Sequence, residues 1–312
     1  MSFVRQIIVG VEMPSEQPWE VGAIAAPCRV AFQMAIQSAL TSRVPVTLAT
    51  VIPAAQSEWF GSPEDAARVV VQNRIAALDL LQKLAQEEWA DANSSQLSCV
   101  VLTGEPWEEL IRVAGNRPDS LLVCGTRDQG TLRRVVFGST GLKLLRLSPG
   151  AVWLVKPRVD DNDSTDIVAA TDGTSVGSDV LITAVKLAKS LNARLHVIHA
   201  VDAAQPTSEL LQAAEAKIHE QLGTTDYRTL PFGVKVQIVQ GKADQSILKT
   251  VEDVKADVLL LGTTSKTGVS GLLPGSTVER LLPELSCSLM ALKPEGFRSM
   301  LPADFWSHAN HR

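Results

Sequence analysis

The chain is written twice. Shifted by 137 residues, its halves align without a gap from Cys99 to Pro157. "LLVCGT" at 121–126 falls on "VLLLGT" at 258–263, and "VWLVKP" at 152–157 on "LMALKP" at 289–294. Ten of the 37 positions from Leu121 to Pro157 keep their residue: Leu122, Gly125, Thr126, Gly138, Ser139, Thr140, Leu144, Leu145, Lys156 and Pro157. Composition bias would not put Gly-Ser-Thr and Lys-Pro in one register, so the repeat is an internal duplication. Whatever fold one half adopts, the other must adopt too.

The boundary follows from the same alignment. "KPRVDDNDST" at 156–165 is polar, acidic and interrupted by proline, as a linker should be. The expected organisation is one domain over 1–157, a second over 165–294, and a tail over 295–312. Each half alternates short apolar runs with segments of helical spacing. In the second half the expected order is strand 166–171, helix 178–191, strand 194–201, helix 208–222, strand 234–239, helix 243–254, strand 257–262, helix 275–285 and strand 288–293. The first half repeats it at 6–12, 28–41, 46–52, 63–90, 98–103, 106–115, 120–124, 138–147 and 151–156. Strands that are apolar throughout belong to parallel sheets covered on both faces. With right-handed crossovers, each half is expected to be a doubly wound α/β unit with five parallel strands. Such units bind ligands beyond the carboxyl ends of the strands, where strand order reverses.

Composition narrows the partners. A net charge of −5 argues against nucleic acid or an anionic membrane surface. No run approaches the length of a membrane span, and the start of the chain lacks an export signal. The four cysteines form no CxxC pair. These features point to a cytoplasmic protein.

The two related loops, "GTRDQGTLRRVVFGST" at 125–140 and "GTTSKTGVSGLLPGST" at 262–277, follow the fourth strand of each unit. Backbone N–H groups at a helix start favour a phosphate, and Gly275 with Ser276 and Thr277 would supply them. Gly262 would let the chain turn sharply beside the same spot. A bare N-cap accounts equally well for Gly-Ser-Thr taken alone. No lysine follows Gly138 or Gly275 as a P-loop requires. No GxGxxG follows a first strand and no GxSxG elbow occurs.

The pattern G-x2-G-x9-G-[ST] in a five-stranded α/β unit resembles the universal stress protein superfamily, whose tandem members hold two such domains. The resemblance spans Ser2 to Pro294 and implies a Rossmann-like fold of the adenine nucleotide alpha hydrolase type. It implies ATP with Mg2+ at the strand tips of the second domain. There Asp172 would meet the nucleoside, and Ala200 would offer its backbone to adenine. Gly262, Ser265, Gly275, Ser276 and Thr277 would line the phosphates. It also implies an internal pseudo-dimer through the last strands, 151–156 and 288–293, with a homodimer left open, and a regulatory role in stress response with unknown protein partners.

The copies depart from the pattern unequally. The second glycine is Ser265 in one loop and Asp128 in the other, and the strand-one aspartate becomes Glu12. A carboxylate beside a triphosphate costs about 1–4 kcal/mol per charge pair. From Glu12 to Gly125 is 113 residues, but from Asp172 to Gly262 only 90. The excess lies in "MPSEQPWEVGAIA" and in the second helix. That insertion, with Pro14, Pro18 and Trp19, is expected to plug the first site. The resulting expectation is a degenerate first domain and a nucleotide-binding second one. The alternative is a scaffold with both sites degenerate. No nucleophile–base or paired-carboxylate spacing supports an enzyme, beyond slow ATP hydrolysis.

His196 and His199, three apart in a strand, point to opposite faces and cannot share a metal. His308 and His311 belong to the tail, where Phe305 and Trp306 are expected to dock on a domain surface. The long helix is expected to pack on its own sheet through Val70, Leu78, Leu81 and Leu84.

Overall fold

A computed structural model of the chain describes residues 4–53, 62–93, 95–126, 137–158, 164–202, 205–263 and 276–307. The first half runs β1 (Gln6–Gly10), α1 (Ala26–Ser42), β2 (Val46–Ile52), α2 (Pro63–Glu88), β3 (Leu97–Thr103), α3 (Pro106–Ala114), β4 (Ser120–Gly125), α4 (Ser139–Leu147) and β5 (Ala151–Val155). The second half runs β6 (Asp166–Ala170), α5 (Ser175–Ser190), β7 (Arg194–Val201), α6 (Ser208–Gly223), β8 (Val234–Gln240), α7 (Ala243–Asp253), β9 (Val258–Gly262), α8 (Ser276–Leu281) and β10 (Ser288–Leu292). A short α9 (Ala303–Ser307) follows. The two halves share one order of elements, as the duplication requires.

All ten strands form one sheet in the order β3-β2-β1-β4-β5-β10-β9-β6-β7-β8. Neighbours are parallel within each half, and β5 meets β10 antiparallel. At that join Trp153 faces Met290, Leu154 faces Leu289 and Val152 faces Ala291. Trp153 and Met290 are equivalent residues of the two copies, so a local two-fold axis passes between them. The contact is isologous, like that of a symmetric dimer, inside one chain. Trp153, Leu289 and Ala291 are fully buried there.

Two continuous apolar layers cover the sheet. One joins residues of α1, α2, α5 and α6 to one face of the strands, and the other joins α3, α4, α7 and α8 to the opposite face. Each layer spans both halves. The linker is held by Arg158, whose Nε donates to Asp257 Oδ1 at 2.6 Å. Asp257 Oδ2 in turn accepts from the backbone N of Asp166 at 2.8 Å.

Three features differ most from expectation. α5 starts at Ser175 because Thr174 caps it, accepting from the Gly177 N–H at 3.4 Å. α8 stops at Leu281 instead of 285, two residues before Pro283, which lacks the N–H a helix needs. On α2, Ala77, Leu80, Leu81 and Leu84 are buried, but Leu78 is 37% exposed and sits with Val71 and Ile75 on the outer side.

The tail crosses back from the second half to the first. Phe305 stacks on Trp107 with ring centroids 6.4 Å apart and planes at 10°. The Arg112 guanidinium lies 4.4 Å above the Phe305 ring. Ser299 Oγ donates to the Leu147 carbonyl at 2.6 Å. Phe305 and Trp306 therefore dock on a domain surface, as their apolar character implied. His308 and His311 lie outside the described residues.

Candidate functional site

In the second half strand order reverses between β6 and β9, and the carboxyl ends of these strands open onto a cavity of about 440 Å3. Asp172, Ala200, Gly262 and Thr277 all line it. They come from the end of β6, from β7, from β9 and from α8. Four of the seven residues carried over from the resemblance thus meet at one place. Ser265 and Gly275 lie outside the described residues, as does Asp128 of the other copy, and Ser276 opens α8.

Asp172 is held by its neighbours. Its Oδ1 accepts from the Thr174 N–H at 2.9 Å and from the Thr174 hydroxyl at 2.6 Å. This is an Asx-type turn that fixes the carboxylate while Thr174 caps α5. His199 donates from Nδ1 to the Thr171 carbonyl at 2.8 Å, because a carbonyl can only accept. His196 turns the other way, its Nε2 lying 2.9 Å from Asp166 Oδ1 at the far end of the sheet. The two rings do not converge, and no cluster of metal-ligating residues occurs among the described residues.

Gly262 has a different role from the expected one. Its backbone does not take the left-handed conformation that a sharp glycine turn would need. A Cβ at this position would lie 2.7 Å from Val176 Cγ1. Glycine lets α5 lie against the tip of β9. Gly125 does the same with less room, since a Cβ there would come within 2.5 Å of the Pro27 backbone carbonyl carbon. The repeated glycine is therefore a close-packing residue in both halves.

Sequence reasoning missed four charged lining residues: Asp202, Lys242, Asp244 and Arg280. Asp244 is buried at the start of α7 and pairs with Arg280 of α8. The only signal was position: "GKAD" at 241–244 follows a strand, and Arg280 lies one helical turn after Thr277. The described wall thus carries three carboxylates and two cations, one cation already engaged.

The first half presents a cleft at the equivalent place, between the ends of β1 and β4. Its volume is about 590 Å3, larger than its counterpart. The insertion does not plug it. Met13, Pro14 and Trp19 stand along its side, and Gln17 Nε2 donates to Asn73 Oδ1 of α2 at 2.9 Å. The inserted segment and α2 meet and build a wall. A loop tethered to a rigid helix lines a cavity more readily than it collapses into it.

Burial pushes Cys124 and Cys287 up to about 12 and Cys99 up to about 11, so all three stay protonated near neutral pH. Each half also ends in a lysine that reaches across the join. Lys156 Nζ donates to the Ser286 carbonyl at 2.9 Å, and Lys293 Nζ donates to that of Leu145. Burial lowers both, and brings Lys293 down to about 7.

A cleft at the switch point of each of two fused doubly wound units defines a tandem protein of the α/β class with open strand tips. The family can be stated more narrowly. The model of the universal stress protein family matches residues 25–156 and again 164–293, and the chain belongs to that family as a tandem member. It is 22% identical over 223 residues to universal stress protein E of Escherichia coli, covering 66% of this chain and 70% of that one. A universal stress protein from Archaeoglobus fulgidus aligns over 93% of this chain and 98% of its own, with a TM-score of 0.65 and 16% identity. A Pseudomonas aeruginosa protein of unknown function aligns over 99% and 96%, with a TM-score of 0.62 and 22% identity. At these identities the structural likeness concerns the fold. No helix among the described residues is long and apolar enough to cross a membrane.

Proposed function

We propose that this tandem universal stress protein is a regulatory adenine-nucleotide binder that takes ATP with Mg2+ in its second-domain cleft, the domains being 1–157 and 165–294. One observation carries the reading: Asp172, Ala200, Gly262 and Thr277, from four separate elements, line a single cavity at the switch point. Its volume of about 440 Å3 suits a nucleotide-sized ligand. Asp172 Oδ1 is engaged by Thr174, which leaves Oδ2 to accept from a ribose hydroxyl. The Ala200 backbone would receive the base, while Thr277 and Lys242 would face the phosphates. Asp244 is already paired with Arg280, and Mg2+ carried with the triphosphate would offset the remaining charge of Asp202. Ser265, Gly275 and Ser276 complete the proposed set.

The carboxylate excess in that wall favours a second reading, a stress-response scaffold whose clefts take no nucleotide. Calorimetric titration of Mg·ATP into the full chain separates the two. One site per chain, lost in Asp172→Ala, supports nucleotide binding. Absence of heat in the unaltered chain supports the scaffold.

A further inference from the structure

We infer that the first-domain cleft is a second, chemically distinct binding site, for a small ligand with an apolar or aromatic body that is uncharged or carries one positive charge. This goes beyond the nucleotide reading and does not depend on it.

The argument rests on what the walls can hold. The described lining of the second cleft includes five charged side chains, Asp172, Asp202, Lys242, Asp244 and Arg280. That of the first includes one, the exposed Glu12. The rest of its character comes from Met13, Trp19, Val51, Leu110 and Phe137. Met13 and Trp19 pack against the apolar layer on one face of the sheet, and Val51 and Phe137 against the layer on the other. The cavity is thus a gap between two apolar layers, opened at the strand tips. Its volume of about 590 Å3 falls within the usual span of small-molecule sites. An anion entering it would surrender its hydration to the apolar walls and meet the Glu12 carboxylate. A neutral ring meets neither cost, and a cation gains the Glu12 carboxylate.

The wall is built, as the Gln17–Asn73 hydrogen bond of 2.9 Å shows. The insertion is absent from the second half, and together with Asn73 of α2 it contributes to this one cavity. Extra chain that closes on itself around an apolar space is what a change of ligand class requires.

Two fluorescent probes with one ring system test the inference on the full-length chain: neutral phenylnaphthylamine, and anilinonaphthalenesulfonate, which adds a sulfonate. The neutral probe is expected to bind one per chain and at least tenfold more tightly than the anionic one. Val51→Phe, which narrows the cavity, should weaken the neutral probe about tenfold. Glu12→Lys, at an exposed position, should tighten the anionic probe and leave the neutral one in place. Asp172→Ala should change neither, so failure of the nucleotide reading would remain a separate result. Equal binding of the two probes, insensitivity to both Val51→Phe and Glu12→Lys, or displacement of the neutral probe by ATP would each overturn the inference.

Discussion

The two clefts occupy equivalent places in equivalent folds, yet their walls differ in kind. The second is shaped by short connections, with charged residues at strand ends and on the helices that follow. The first is shaped by added chain, which carries methionine, prolines and tryptophan to the same strand tips. Duplication supplied two identical frames, and what lines each frame was free to diverge because the sheet and its covering helices do not depend on it. The frame resists change where backbones touch, and the wall changes where they do not.

That contrast can be broken most severely at the frame. Gly125→Ala drives a Cβ to 2.5 Å from the Pro27 backbone, whereas Gly262→Ala meets only the Val176 side chain at 2.7 Å. The expected losses are about 3 kcal/mol for Gly125→Ala and about 1 kcal/mol for Gly262→Ala, read by urea unfolding. Val176→Ala should recover most of the second loss and none of the first. Equal costs at the two glycines would mean that the helices approach both strands alike.

The paired lysines give the next effect. Burial brings Lys293 to about 7 from an ordinary 10.5, and lowers Lys156 in the same direction. Between those limits the unfolded chain holds a proton on this side chain that the folded chain does not. Stability should therefore rise with pH from about 7 towards 10, by at most about 1.4 kcal/mol per unit, and below 7 the burial penalty is fully present. Thermal unfolding across pH 6–9 should show the rise, and Lys293→Met should flatten it more than Lys156→Met does. A profile unchanged by Lys293→Met would remove the asymmetry.

At the strand tips Asp172 and Glu12 are counterparts. Asp172→Ala is expected to weaken Mg·ATP at least tenfold, about 1.4 kcal/mol, with Glu12→Ala without effect. Isothermal titration of both variants decides it, and the reverse pattern would assign the nucleotide to the first half. The smallest effect belongs to the tail, which only the second half possesses. Phe305→Ala removes a stack on Trp107 and a cation–π contact with Arg112 and should cost about 1 kcal/mol. Proteolysis should then trim the tail sooner while leaving both domains intact.

Much of this was legible beforehand. Strands such as "DVLLLG" and "VWLVKP" announce themselves because burial on both faces demands unbroken apolar runs, and that demand is local. The convergence of Asp172, Ala200, Gly262 and Thr277 was legible only through a resemblance, since nothing in their spacing brings four elements together. Asp244 and Arg280 were missed for the same reason: their ion pair joins helices that periodicity places on one layer without saying which side chains meet. Gly262 was noticed for the wrong property. A glycine after a strand suggests a turn, but the constraint came from Val176, on another element.

By itself, then, the order of residues determined the duplication and the alternation of strands and helices. These depend on periodicity and repetition, which are properties of a line. Tertiary structure alone decided that two five-stranded sheets join as one through Trp153 and Met290, that the tail returns to the first half, and that the insertion lines a cavity it was expected to fill. Each of those depends on contacts between residues far apart in the chain, where the free energy is set by shape and distance that no local pattern encodes.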